Sequence, residues 1–215
     1  MNKGLILRKV CILRAGIPLI EVDYAIAAGE ILTVMGPSGV GKSTLLAYLT
    51  GTLATTFTGM GQVLLDGLDI TKYPPHARRI GILFQDDLLF PHMSVGTNLA
   101  FGMPPGGSKA SRLAQIEEAL SDVGMAGFAD RDPGTLSGGQ KARVALVRML
   151  LSNPRALLLD EAFSRLDAEL RAQVRDLVFQ TAKKRALPVL MVTHDIEDAQ
   201  DAGGTIIKLK SLSKG

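Results

Sequence analysis

Gly36–Pro37–Ser38–Gly39–Val40–Gly41–Lys42–Ser43–Thr44 follows the pattern G-x-x-x-x-G-K-[ST], a spacing built to hold a polyphosphate. Glycines at 36, 39 and 41 let the backbone turn its N–H groups inward as a nest for phosphate oxygens. Lys42 supplies a compact positive charge for the β- and γ-phosphates, and the Ser43 hydroxyl is placed to ligate Mg²⁺. The apolar run Ile31–Leu32–Thr33–Val34–Met35 before it reads as a buried strand. Ser43 to Leu49 reads as a helix stopped at Gly51, so a phosphate here would meet a helix N-terminus.

Further groups with matching chemistry stand at the ends of other apolar runs. Asp160 closes Ala156–Leu157–Leu158–Leu159, at the carboxyl edge of a sheet, where a carboxylate can hold Mg²⁺ together with Ser43. Glu161 follows at once and points the other way. Binding Mg²⁺ does not require this second carboxylate; orienting and deprotonating an attacking water does. Gln85 ends the run Ile80 to Phe84 and offers an amide to that water or to the metal. His194 ends Leu190–Met191–Val192–Thr193 and could donate to a γ-phosphate. On its own such a histidine is structural more often than not; four other groups at strand ends favour a functional role.

These side chains need a sheet to hold them. Leu5 to Leu13 and Leu19 to Ile26 alternate imperfectly, as half-buried antiparallel strands do. The Thr- and Gly-rich stretch from Thr52 to Gly61 reads as a loop, followed by a strand over Gln62 to Leu65 closed by the turn Asp66–Gly67. Between Asp86 and Leu136 the pattern changes: Gly102 to Ser108 is a loop, and Leu113, Ile116, Leu120 and Val123 recur at helical spacing. This is a small helical insert. Ser137–Gly138–Gly139–Gln140 opens a helix with Val144, Val147, Leu150 and Leu151 on one face. A further helix carries Leu170, Val174, Leu177 and Val178, and strands follow at Val189 to Thr193 and Thr205 to Leu209. Alternating strands and helices predict an α/β fold with a largely parallel sheet covered on both faces. The expected organisation is a single domain with a phosphate-binding core over residues 1–85 and 137–215 and a helical insert over residues 86–136.

Composition narrows the function classes. Of 215 residues, 47% are hydrophobic and 21% charged, which is globular and not disordered. The net charge of +3 is small and spread out, and Lys183–Lys184–Arg185 sits where a helix end favours cations, so no nucleic-acid partner is expected. Cys11 is the only cysteine, so no internal disulfide can form. There is no signal-peptide pattern and no apolar run near the roughly 18 residues that would suggest a membrane span. A cytosolic protein is expected.

Taken together, the motifs resemble those of the ATP-binding subunit of ABC transporters over essentially the whole chain. Gly36 to Thr44 is similar to Walker A, Ala156 to Glu161 to Walker B with its glutamate, and Gln85 to the Q-loop. Leu136–Ser137–Gly138–Gly139–Gln140 resembles the ABC signature, Ser164–Arg165–Leu166–Asp167 the D-loop and His194 the switch histidine. The resemblance implies a P-loop NTPase (RecA-like) core with an N-terminal antiparallel β subdomain and an inserted α-helical subdomain. It further implies ATP and Mg²⁺ as ligands, and a second copy of the chain whose Ser137, Gly138, Gly139 and Gln140 complete each ATP site. Phe84 to Val95 looks like the importer branch. That implies integral membrane permease subunits, a solute-binding protein in the assembled importer, and a place on the cytoplasmic face of the membrane. The chain is of the short form, with no C-terminal regulatory domain expected after Gly215. A non-transport ATPase of the same family is the alternative, set aside because the chain has neither a second such domain nor coiled-coil inserts. Two positions depart from the family pattern: Ala162 stands where proline is usual, and Leu13–Arg14–Ala15–Gly16 lacks the aromatic that stacks on adenine. Arg14 could stack on the base, or Leu13 could offer an apolar surface.

Overall fold

The computed structural model describes residues 3–209, which group into two compact units. Among the described residues, the first comprises 3–82, 155–161 and 179–209. Its strands β1 (Gly4–Arg14), β2 (Ile17–Ala27), β4 (Phe57–Leu65) and β5 (Leu68–Asp69) form an antiparallel sheet in the order β2-β1-β4-β5. A second sheet runs in the order β6-β7-β8-β3-β9, built from β3 (Ile31–Met35), β6 (Ile80–Leu83), β7 (Ala156–Asp160), β8 (Val189–Thr193) and β9 (Thr205–Lys208). There β3 lies parallel to β8 and β9, and β7 parallel to β8. Leu32, Val34, Leu157, Leu158, Leu190 and Val192 are buried, the continuous apolar character that a parallel sheet covered on both faces demands. The expected α/β core with an antiparallel β subdomain is what the structure has.

Helix α1 (Lys42–Thr50) shares one core with both sheets. Leu45, Leu46 and Leu49 pack with Leu5, Leu7 and Ile12 on one side and with Leu32, Leu158 and Leu190 on the other. The C-terminus of α1 has no basic residue of its own in the last turn; Arg78 fills that role from outside. This guanidinium is 5% exposed. It donates to Tyr48 O at 2.7 Å and Leu49 O at 2.9 Å, to Tyr73 O at 2.9 Å, and to Thr71 O. A cation there complements the helix dipole and adds to the Gly51 N–H bond that Tyr48 O already accepts at 3.2 Å. Arg78→Met removes the fork and with it these hydrogen bonds. The expected loss is about 2–4 kcal/mol, read as a midpoint shift in urea with an unchanged slope; a loss below roughly 0.5 kcal/mol would show that water replaces the guanidinium.

Strand β4 begins at Phe57, earlier than the sequence suggests. Thr58, Gly59 and Met60 pair with Leu13, Ile12 and Cys11 of β1, so tertiary pairing overrides a Thr/Gly composition that reads as a loop. The glycines are there for close approach: a Cβ on Gly59 would stand 2.3 Å from the Tyr48 ring, and one on Gly61, at φ +89°, 2.3 Å from Lys9 O. The strand at residue 80 ends at Leu83, leaving Phe84 and Gln85 beyond it.

The second unit comprises residues 83–154 and 162–178. It holds α2 (Val95–Gly102), α3 (Lys109–Asp122), α4 (Gly138–Leu151) and most of α5 (Ala168–Lys184). Val95, Leu99, Ile116, Leu120, Val144 and Val147 form its core. Asn98, fully buried, accepts from Phe90 N at 2.8 Å and donates to the carbonyls of Phe90, Met93 and Ser94 at 3.1 Å each. That one amide fixes the segment leading into α2. Neither α2 nor α6 (Ile196–Asp201) is anticipated from periodicity, because one or two turns carry too few residues to show it.

Candidate functional site

The carboxyl ends of β3, β7 and β8 bring five of the singled-out side chains into one cluster. After Met35 the chain turns through Gly39 (φ +81°) and Gly41 (φ +102°) into α1, whose first residue is Lys42. Gly41 is the N-cap, with no side-chain cap and no acidic residue in the first turn, so the N–H groups at this helix start face whatever the loop encloses. Lys42 is 6% exposed, its Nζ donating to Gly36 O at 2.7 Å and Pro37 O at 3.3 Å. The same ammonium lies 3.6 Å from Glu161 Oε1, whose other oxygen is 3.2 Å from His194 Nδ1. A carboxylate thus stands between a cation and an imidazole, held by both.

Ser43 Oγ donates to Asp160 Oδ1 at 3.4 Å. Burial pushes the Asp160 carboxyl above the usual carboxylate range, and the neighbouring Glu161 adds to this; the Ser43 hydrogen bond and Lys42 pull the other way. A carboxylate that is costly to ionise is relieved by a cation. A hydroxyl and a carboxylate are the hard oxygens that Mg²⁺ takes, and it usually completes its shell with water and substrate phosphates. Among the described residues no group of three or more His, Cys, Asp or Glu forms a metal cage. The pair therefore fits Mg²⁺ arriving with a polyphosphate, and does not fit a metal held by protein alone.

One feature of the cluster is invisible in sequence. Glu161 sits at φ +48°, a left-handed conformation that non-glycine residues rarely adopt and that concentrates at functional sites. Its N–H donates to Val192 O at 3.0 Å, so the β7–β8 ladder runs on through the strained residue and holds it.

The remaining singled-out residues belong to the helical unit. Gln85 is exposed, two residues past the end of β6. Ser137 is the N-cap of α4: its Oγ accepts from Gln140 N at 3.3 Å, and Gln140 Oε1 accepts from Ser137 N at 3.0 Å. This capping box engages both polar side chains of the motif. Gly139 is buried under α5, where an added Cβ would lie 2.3 Å from Leu170 Cδ1, whereas Gly138 has open space. Arg165 forms an ion pair with Asp86, a contact between two polar loops that no spacing rule reveals.

Comparison with known proteins decides the family. Residues 19–164 match the model of the ABC transporter family, ABC_tran. The chain belongs to that family. It is 48% identical over 180 residues to the uncharacterized ABC transporter ATP-binding protein YnjD of Escherichia coli, covering 84% of this chain and 83% of that protein. The thiamine import ATP-binding protein ThiQ of Vibrio vulnificus is 45% identical over 183 residues, covering 85% of this chain and 77% of ThiQ. The Fe(3+) ions import ATP-binding protein FbpC of Pasteurella multocida is 42% identical over 180 residues; the match spans 83% of this chain and about half, 51%, of FbpC. A dimeric post-hydrolysis structure of the ATP-binding cassette MJ0796 with ADP and Pi superposes with a TM-score of 0.77 at 31% identity, covering 96% of this chain and 94% of that one. The protein is an ATP-binding, ATP-hydrolysing subunit of the ABC transporter family, with an α/β P-loop NTPase fold.

Proposed function

We propose that this ABC subunit powers solute import, with Lys42, Ser43, Asp160, Glu161 and His194 as the hydrolytic half-site. The clustering of Lys42, Glu161 and His194 within 3.6 Å contacts carries the reading. The backbone of Gly36 to Thr44 and the Lys42 ammonium bind the triphosphate. Ser43 and Asp160 would hold Mg²⁺, which when bound would neutralise charge on the phosphate oxygens. Glu161 accepts a proton as a water oxygen attacks the γ-phosphorus; the bond to the bridging oxygen breaks and ADP leaves. His194 orients Glu161 through the 3.2 Å contact.

Ser137, Gly138, Gly139 and Gln140 act on the nucleotide of a second copy. Their fixed helix N-terminus supports this, as does the dimeric state of the MJ0796 cassette. Assembly with integral membrane permeases on the cytoplasmic face, and with a solute-binding protein, is supported by the import relatives. No helix among the described residues is long and apolar enough to cross a membrane. The exposed aromatic surface of the helical unit suits a permease partner. Phe101 is 67% exposed, edge-on to Phe90 at 4.9 Å, and Leu88 is 55% exposed.

The cargo is not written in this chain: relatives named for thiamine, iron and polyamines match at 45%, 42% and 45% identity. Two measurements test the reading. Glu161→Gln with saturating ATP is expected to form dimers by light scattering, and the added Ser137→Arg to keep it monomeric. The wild-type chain, co-expressed with the membrane proteins of its own operon, is expected to co-purify with a permease. Dimers unaffected by Ser137→Arg would overturn the shared site, and a subunit that hydrolyses ATP yet retains no membrane partner would overturn transport.

A further inference from the structure

The neighbouring strands β6 and β7 both lead out of the first unit into the second. The chain after β6 passes through Gln85 to Asp86, and the chain after β7 passes through Glu161 to Arg165. Within the second unit each segment is fastened to a different helix. Arg148 of α4 donates to Asp87 O at 3.0 Å and to Leu88 O at 2.8 Å. Arg171 of α5 donates to Phe163 O at 3.1 Å, and Asp167 Oδ1 accepts from Leu170 N at 3.0 Å. The Asp86–Arg165 ion pair then joins the two segments. Asp87, next along, is half-buried; burial pushes its carboxyl above the usual carboxylate range, while Lys141, Arg148 and Arg165 pull it back. Arg165 is thus drawn to two carboxylates, by direct contact with Asp86 and through space by Asp87.

We infer that Arg165 and Asp86 are positioning residues for hydrolysis: their ion pair restrains the chain that follows Glu161 and keeps that carboxylate aimed at the attacking water. The inference rests on Glu161 as the proton acceptor, as proposed above. The side chains of Arg165 and Asp86 are 60% and 52% exposed, so solvent screening leaves the pair little to give to stability. A contact of this kind can still fix register. Glu161 sits in the left-handed region at φ +48°, a conformation that persists only while its surroundings hold it. Its N–H bond to Val192 O holds the residue itself; the Arg165 pair ties down the segment just beyond it. Positioning of a reacting group is steeply sensitive to displacement, so a contact too weak to matter for folding can matter for rate.

The test is a mutant cycle on the purified chain, read by single-turnover hydrolysis at saturating ATP and by KM for ATP. Arg165→Gln is expected to slow hydrolysis about tenfold while KM stays within about twofold. Arg165→Lys, which keeps the charge, should recover most of the rate. Asp86→Asn should cost less than Arg165→Gln, because Asp87 still attracts the guanidinium. The two changes together should be no slower than Arg165→Gln alone. Urea midpoints should match wild type throughout. In a Glu161→Gln chain, Arg165→Gln should add no further slowing, because the group it positions is gone, and ATP-dependent dimers should still form by light scattering. A wild-type rate in Arg165→Gln overturns the positioning role. So does an equal slowing in the wild-type and Glu161→Gln chains, or loss of the dimer. If Glu161→Gln alone hydrolyses ATP at the wild-type rate, the proton-acceptor reading falls and this inference with it.

Discussion

Lys42→Ala is expected to lower ATP affinity by at least about a hundredfold. A unit charge about 4 Å from phosphate at an intermediate dielectric is worth on the order of 4 kcal/mol, and even two-thirds of that is a factor of about a hundred. Lys42 has little freedom to be replaced. Its side chain is 6% exposed, anchored on the Gly36 and Pro37 carbonyls and facing Glu161. A neighbouring lysine cannot reach the same point without unfolding the loop. Isothermal titration with ATP·Mg²⁺ checks the result, with circular dichroism confirming the fold. Affinity within about fivefold of wild type would show that the backbone nest alone holds the phosphates.

Glu161→Gln is the second large effect, with the opposite signature. The amide keeps the shape and the strained backbone of Glu161 but accepts no proton. Nucleotide affinity is expected to hold, while single-turnover hydrolysis slows by about 10²–10⁴, the usual weight of a general base. Measured together, Lys42→Ala and Glu161→Gln separate binding from chemistry. If Glu161→Gln hydrolyses ATP at the wild-type rate, another group activates the water. His194→Ala tests the positioning role: loss of the 3.2 Å contact should slow hydrolysis without changing KM for ATP.

The positions that cluster in the structure are ones whose spacing stands out in the sequence. Strand–glycine loop–Lys42 and apolar run–Asp160–Glu161 are local patterns, and each fixes its geometry within a few residues. The parallel core was equally legible, since Leu157 to Leu159 and Val189 to Val192 are apolar without alternation. What could not be read depended on distant partners. Thr58 to Met60 become a strand only because β1 lies alongside, and the left-handed Glu161 depends on Val192 O.

Arg78 has a mechanical consequence. The helix that starts at the phosphate loop is clamped at its far end by one guanidinium donating to four carbonyls, two of them on the helix itself. Sliding α1 along its axis would break the Tyr48 and Leu49 bonds together. The helix is therefore a stiff strut, anvil-like beneath the nucleotide. Its opposite end, which begins with Lys42 and Ser43, is thereby held from behind as well as by the phosphate loop.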